Sequence, residues 1–195
     1  MGEVTWHPQQ IQRKDREDML GQKGCLVWLT GLSGSGKSTI AARTAQLLHE
    51  SGRLCYVLDG DNIRQGLCND LGFDEIERRE NIRRIREVGK LFVDAGIITF
   101  AAFISPYRSD RARIRDGLGD RFIEVHAKCS IEECEKRDVK GLYKKARNGE
   151  IPDFTGISSP YEEPDDPEVI LDTCRDGLEL NAKKLVDYLE SGEFI

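Results

Sequence analysis

No apolar run in this sequence approaches the length of a membrane span, and residues 1–23, polar and charged, contain no signal-peptide core. A membrane-bound or exported protein is therefore not expected. Positive charge is not in excess either. The chain carries 29 Lys and Arg against 35 Asp and Glu, a net charge of −6, so a general affinity for nucleic acid is not suggested. Cysteine occurs only singly, at Cys25, Cys55, Cys68, Cys129, Cys134 and Cys174, with no C-x-x-C pair. His126, Cys129 and Cys134 fit no common zinc spacing, and a reducing cytoplasm is the expected compartment. Cys25 and Cys55 fall in predicted strands and read as small core residues. No internal repeat or low-complexity tract appears, and 195 residues suit one compact domain.

What is present is a buried-strand pattern, Cys25-Leu26-Val27-Trp28-Leu29-Thr30, running into Gly31-Leu32-Ser33-Gly34-Ser35-Gly36-Lys37-Ser38-Thr39. This is G-x-x-x-x-G-K-[ST] with its strand before it and a helical stretch, Thr39 to about His49, after it. Each part has a physical task. The glycines let backbone N–H groups wrap the α- and β-phosphates of a nucleoside triphosphate. Lys37 reaches the β- and γ-phosphates, and the Ser38 hydroxyl helps to hold Mg²⁺. The helix points its positive end at the anion.

Further apolar runs at 54–58, 97–104, 121–126 and 168–171 alternate with helical stretches. Strands apolar nearly throughout are buried on both faces. The expected fold is an α/β three-layer αβα sandwich with a mainly parallel five-stranded sheet, of the P-loop hydrolase or kinase type. Residues 1–23 read as an extension ahead of this domain, with a helical stretch near Ile11 to Leu20, and 24–195 as the domain itself. Residues 140–163, basic and then rich in turn formers, read as a mobile lid.

Ligands of open parallel sheets gather at the carboxyl ends of the strands. The second strand runs into Asp59-Gly60-Asp61-Asn62-Ile63-Arg64 and the third into Ser105-Pro106-Tyr107-Arg108. The third strand lacks the terminal Asp of many P-loop ATPases, and no Asn-Lys-x-Asp guanine-reading motif occurs. A small-molecule kinase needs a carboxylate to orient an acceptor hydroxyl. Asp61 is the candidate, and Asp59 supports the loop or a metal's water shell. The same residues also read as a turn and helix N-cap. In the helix from about Glu75 to Asp94, Ile82, Ile85, Val88, Gly89 and Phe92 form the inward stripe. Arg78 and Asn81 continue that stripe toward the cleft as ligands for an anionic acceptor. Arg79, Arg83, Arg84 and Arg86 fall on the solvent side. Phe73, upstream, suits stacking on a flat ring or a place in the core.

Together, the glycine loop, Leu58–Arg64, Glu80-Asn81-Ile82-Arg83-Arg84, Phe103–Arg108, Lys140-Gly141-Leu142-Tyr143-Lys144-Lys145-Ala146-Arg147 and Phe154-Thr155-Gly156-Ile157 closely resemble the adenylyl-sulfate kinase family. The resemblance covers nearly the whole chain, including Trp6-His7 of the bacterial type. One departure is Glu77-Arg78, where the longer Glu fills an acid–Arg pair. The resemblance implies transfer of the γ-phosphate of ATP, with Mg²⁺, to the 3′-hydroxyl of adenosine 5′-phosphosulfate in sulfate assimilation. It implies acceptor-site roles for Asp61, Asn62, Arg64, Phe73, Arg78, Asn81, Ile104, Ser105, Lys140 and Phe154. Arg64, Arg78 and Asn81 would grip the phosphosulfate and ribose. Phe73 and Phe154 would sandwich the adenine, and Lys140 would sit in the lid near the phosphates. The ATP base is expected near Arg137 and the Thr173-Cys174 region. The family's serine at the position of Ser105 is associated with a phosphoserine intermediate. In-line transfer needs no covalent step, and no base adjoins Ser105 in the sequence, so a substrate-lining position is the more economical reading. A homodimer and an association with ATP sulfurylase are further implications. The competing readings are a P-loop kinase for a nucleoside, gluconate or shikimate, and a non-catalytic nucleotide-sensing module.

Overall fold

In the computed structural model, which describes Thr5 and residues 7–195, the chain alternates helices and strands. The elements are α1 (Arg13–Leu20), β1 (Cys25–Thr30), α2 (Lys37–Glu50), β2 (Cys55–Asp59), α3 (Gly60–Ile63), α4 (Glu75–Asp94), β3 (Ile98–Ala102), α5 (Arg108–Leu118), β4 (Phe122–Lys128), α6 (Ile131–Arg137), α7 (Leu142–Arg147), β5 (Val169–Asp172) and α8 (Leu178–Ser191). Trp6, part of the bacterial-type segment, lies outside the described residues.

The five strands form one sheet in the order β2-β3-β1-β4-β5, and every pairing is parallel. All six residues of β1 are buried, as its unbroken apolar run predicts for a central parallel strand. Its side chains divide between two cores by the two-residue period of a strand. Cys25, Val27 and Leu29 join Phe100, Val125, Ile40, Leu48 and Leu185 under α2 and α8. Leu26 and Trp28 join Ile82, Ile85, Ile114 and Phe122 under α4 and α5.

The 20-residue α4 starts where Asp74 caps the backbone N–H of Glu77, with Glu75 and Glu77 in the turn where negative charge suits the helix dipole. Its buried stripe is Asn81, Ile82, Ile85, Gly89 and Val93, with Val88 and Phe92 half-buried beside it. Arg79, Arg84 and Arg86 are half-buried and depart from the solvent side expected for them, whereas Arg83 is exposed. Arg79 lies over the Tyr107 ring and reaches the buried Asp110, and Arg84 is shared between Asp70 and Glu80. Both arginines reach across to elements beside α4, which the helix period cannot foretell.

The expected strand at 97–104 is shorter. Pairing ends at Ala102, one last bond joins Phe103 N–H to Leu29 O (3.2 Å), and Ser105 then turns the chain at φ 40°. Residues 12–23 are fastened to the sheet's amino end. The Gln22 side-chain amide donates to Leu54 O and Gly96 O and accepts from Leu54 N–H. Arg16 reaches Asp94, and Glu17 pairs with Arg121. α1 buries no residue of its own.

Gly24 enters β1 against the turn that ends α4. A Cβ at this position would lie 2.4 Å from Val93 O and 3.0 Å from Gly96 Cα, both backbone atoms. Gly24→Ala should therefore destabilise the fold by about 1–3 kcal/mol, read as a lowered urea midpoint with an unchanged slope. An unchanged midpoint would show that this strand entry is not tightly packed.

Candidate active site

The loop from Gly31 to Gly36 leaves the carboxyl end of β1 and wraps the start of α2. Gly34 and Gly36 stand at φ 77° and 93°, in the left-handed region that glycine enters without a side-chain clash. Gly36 caps α2 with no side-chain hydrogen bond, so no capping side chain takes up the first N–H groups of that 14-residue helix. Ser35 is buried and its N–H donates to Leu32 O. Ser33 and Leu32 line the loop's outer side, and Ser38 and Thr39 are exposed on the first turn of α2. The Lys37 side chain is buried and donates to Gly31 O (2.9 Å) and Leu32 O (2.7 Å). Burial brings its ammonium pKa down from 10.5 to about 8.

Arg137 and Thr173 meet beside this loop. Arg137 Nη2 donates to Thr173 O (2.6 Å), and its Nη1 lies 3.4 Å from both Gly34 O and Thr173 Oγ1. Glu133, one turn back on α6, steadies the guanidinium.

On the other side of the loop, Asp59 ends β2 and accepts from Asp61 N–H (2.9 Å), which makes it the N-cap of α3. The turn-and-cap reading therefore describes Asp59, and it leaves the Asp61 carboxylate free to project. Asp61 is exposed and pairs with Lys140 at the root of the lid. Asn62 is exposed on the same short helix. Arg64 donates to Leu71 O and Gly72 O, and its guanidinium stacks 4.1 Å from the Phe73 ring centre. Arg78 donates to Phe73 O (2.6 Å), Asp153 O (2.6 Å) and Thr155 Oγ1 (3.1 Å). The two arginines thus grip three successive carbonyls, and Arg78 ties the Phe73 loop to the Phe154 loop.

The two aromatic rings have separate partners. Phe73 is exposed beneath Arg64, whereas Phe154 is buried and meets Tyr143 edge-on at 5.0 Å. Asn81 is buried, and its Oδ1 has no hydrogen-bond partner among the described residues. An orphaned acceptor in that position marks a place for a donor that the protein does not supply.

Ile104 and Ser105 close this wall. Ile104 O accepts from Thr30 Oγ1 (2.8 Å). The Ser105 hydroxyl is buried, accepts from the Trp28 indole N–H (2.9 Å) and points back toward Phe103 O. No carboxylate or imidazole hydrogen-bonds it among the described residues.

Residues 140–163, expected as a lid, touch both halves. Tyr143 donates to Ser33 O (2.9 Å), only three residues from the Lys140 that meets Asp61. Leu32 of the glycine loop packs in a small apolar cluster with Tyr143, Phe154, Ile131 and Cys134. At the lid's far end the buried Arg111 donates to Ser105 O (2.6 Å), Glu162 O (2.7 Å) and Glu124 Oε1 (2.6 Å). Tyr161 lies 3.1 Å from the Thr30 hydroxyl. Sequence reasoning gave no role to Trp28, Thr30, Arg111, Tyr143 or Tyr161. The one available signal was for Arg111, which lies in the helical phase of Ile114. An open groove of about 960 Å³ lies between α1 and residues 193–195, at the strands' amino ends and away from all this chemistry.

A glycine loop with its lysine, an exposed carboxylate after β2 and a segment, Lys140 to Tyr143, that touches both define a P-loop kinase for a small molecule. The comparisons name it more closely. The family model described as adenylylsulphate kinase matches residues 23–172, and the chain belongs to that family. It is 55% identical to the adenylyl-sulfate kinase of Clostridium kluyveri over 95% of this chain and 94% of that one. The corresponding values for the Staphylococcus epidermidis adenylyl-sulfate kinase are 53%, 98% and 97%. A solved structure of the Mycobacterium tuberculosis APS kinase in complex with AMPPNP and APS superposes with a TM-score of 0.83 at 44% identity. It covers 87% of this chain and 99% of that one.

Lys37 carries a pH signature. Its pKa is depressed on folding, so between about 8 and 10.5 the unfolded chain holds more protons and stability rises with pH through that window. Anionic phosphates placed beside the ammonium would reverse the shift. Triphosphate binding at pH 8.5 should therefore take up a fraction of a proton, measured by calorimetry in buffers of different ionisation enthalpy. Lys37→Met should abolish the uptake. Uptake unchanged in that variant would place the proton elsewhere.

Proposed function

We infer that the chain transfers the γ-phosphate of ATP to the 3′-hydroxyl of adenosine 5′-phosphosulfate, giving 3′-phosphoadenosine 5′-phosphosulfate and ADP, in sulfate assimilation. The observation that carries the assignment of sides is the lid contact. Lys140 meets Asp61 while Tyr143, three residues on, meets the glycine loop, so the acceptor carboxylate and the donor phosphates fall within the reach of one four-residue segment, the turn at Lys140 and the start of α7.

The division of labour follows from charge. Both substrates are polyanions, and Lys37, the α2 N-terminus and the surrounding arginines offset their repulsion. Asp61 orients the 3′-hydroxyl and accepts its proton as the oxygen attacks phosphorus in line. Arg64 and Arg78 place the loop under the nucleotide, and Phe73 offers its ring to the adenine, with Phe154 behind the lid. Asn81 Oδ1 takes a substrate donor. Ser105, held by Trp28 and Arg111, lines the wall and carries no phosphoryl group. Arg137 and Thr173 bound the ATP base. The closed lid excludes water that would otherwise consume ATP.

Mg²⁺ fits this donor set. It favours phosphate and water oxygens with one or two protein ligands, and the Ser38 hydroxyl is exposed where phosphates meet α2. When bound, the ion would neutralise charge on the β- and γ-phosphates. No helix among the described residues is long and apolar enough to cross a membrane. We place the reaction in the cytoplasm, with the chain as a homodimer and ATP sulfurylase as a functional associate.

Incubation with ATP, Mg²⁺ and adenosine 5′-phosphosulfate, with chromatographic identification of the nucleotides, tests the assignment. Turnover of another alcohol in preference to adenosine 5′-phosphosulfate would overturn it. Asp61→Ala should lower turnover about 10²-fold or more with ATP binding retained. Near-normal turnover would remove Asp61 from the chemistry. Arg78→Ala should raise the KM for adenosine 5′-phosphosulfate, because both loops it joins face the acceptor. A change in ATP affinity alone would place Arg78 on the donor side.

A further inference from the structure

The mechanism makes no use of cysteine, yet three of the six thiols gather at one place: the buried Cys134 packs beside Cys129, and Cys129 in turn meets Cys174, the better exposed of its two neighbours. Cys129 follows β4 and Cys174 follows β5, 45 residues apart in the chain, and their sulfur atoms lie 3.3 Å from each other. Parallel pairing delivers them. β4 and β5 stay in register to Lys128 and Asp172, and Thr173 N–H then donates to Lys128 O (3.0 Å). The strand ladder thus extends one step into the loops that carry the thiols. Cys174 is exposed and Cys129 half-buried, whereas Cys25, Cys68 and Cys134 are buried.

These loops are also the ones that flank the glycine loop. Thr173, next to Cys174, accepts from Arg137 through its carbonyl, and Arg137 reaches Gly34 O. Ser130, next to Cys129, caps α6, the helix that carries Arg137.

We propose that Cys129 and Cys174 are a reversible oxidation site, closing to an intramolecular disulfide with a low-molecular-weight disulfide as oxidant. The exposed Cys174 thiolate attacks one sulfur of the oxidant, forming a mixed disulfide and releasing one thiol. Cys129 gives up its proton to solvent and attacks the Cys174 sulfur, releasing the second thiol. Two protein thiols are oxidised, one small disulfide is reduced to two thiols, and the protons end on those thiols. Burial and the hydrogen bond to Cys174 raise the Cys129 pKa, which suits the second, resolving role and not the first.

Closure draws the sulfurs from 3.3 Å to a bond of about 2.05 Å. That contraction pulls the Thr173 turn toward β4, and Arg137 transmits it to the glycine loop. The expected consequence is weaker ATP binding in the oxidised protein. This consequence rests on the assignment of Arg137 and Thr173 to the ATP side, whereas the disulfide itself does not.

The test uses the full chain equilibrated with glutathione disulfide and glutathione at graded ratios, quenched with N-ethylmaleimide and mapped by mass spectrometry. The expected product links the Cys129 peptide to the Cys174 peptide and is reversed by dithiothreitol. The oxidised wild type should show an ATP KM raised between about 5- and 100-fold, the range a displacement near 1 Å can cause. Cys174→Ser, on an exposed turn, should keep its own KM through the same treatment. Glutathione retained on Cys174 while Cys129 remains alkylatable would overturn the site. A linked product with an unchanged ATP KM would keep the disulfide and overturn its coupling to the nucleotide.

Discussion

Burial of Cys25–Thr30 on both faces leaves this chain one place to do chemistry. With α2 and α8 covering one face of the sheet and α4 and α5 the other, side chains along the strands are spent on packing. The polar groups collect where the strands stop. All strands run the same way, so every stop at the carboxyl end falls along one rim. The glycine loop after β1, Asp59 and Asp61 after β2, Ser105 after β3, and the Cys129 and Thr173 turns after β4 and β5 are neighbours for that single reason.

Along that rim the problem to be solved is anionic crowding in a protein that is itself acidic overall. The answer is local. Lys37, Arg64, Arg78 and Arg137 are each held by backbone carbonyls of the protein, whereas Lys140 is held by the Asp61 carboxylate. Exposed pairs such as Lys140–Asp61 contribute little to stability, on the order of 0–1 kcal/mol. Their value lies in position. Burial has a different result for Arg111, whose carbonyl contacts hold the end of β3 and the end of the lid as one unit.

The strands, their parallel arrangement and the glycine loop were legible because each rests on a local rule: unbroken apolar runs, alternation with helices, and fixed glycine spacing. The span of α4 was equally plain, since Asp74 and the apolar stripe mark it. Asn81 was readable because a polar group in phase with that stripe must face a cavity or a partner. What could not be read depended on encounters between distant segments. Nothing around Arg79 announces Tyr107 and Asp110, and nothing in Lys-Gly-Leu-Tyr tells that Tyr143 will bond Ser33. Phe73 and Phe154 were expected as a pair, but each ring has its own protein neighbour, and it is their backbones that Arg78 joins. The residues ahead of β1 read as an extension because α1 has no apolar stripe. Their attachment runs through Arg16, Glu17 and Gln22, and the patterning of apolar residues does not register such contacts.

The indole of Trp28 is buried at the heart of the fold, and its N–H ends on Ser105, at the wall that follows β3. Indole emission responds to the loss or lengthening of such a bond. A displacement of that wall is therefore written into the colour and yield of the light that Trp28 emits, and events at the rim can be followed optically from inside the core, with no label added to the chain.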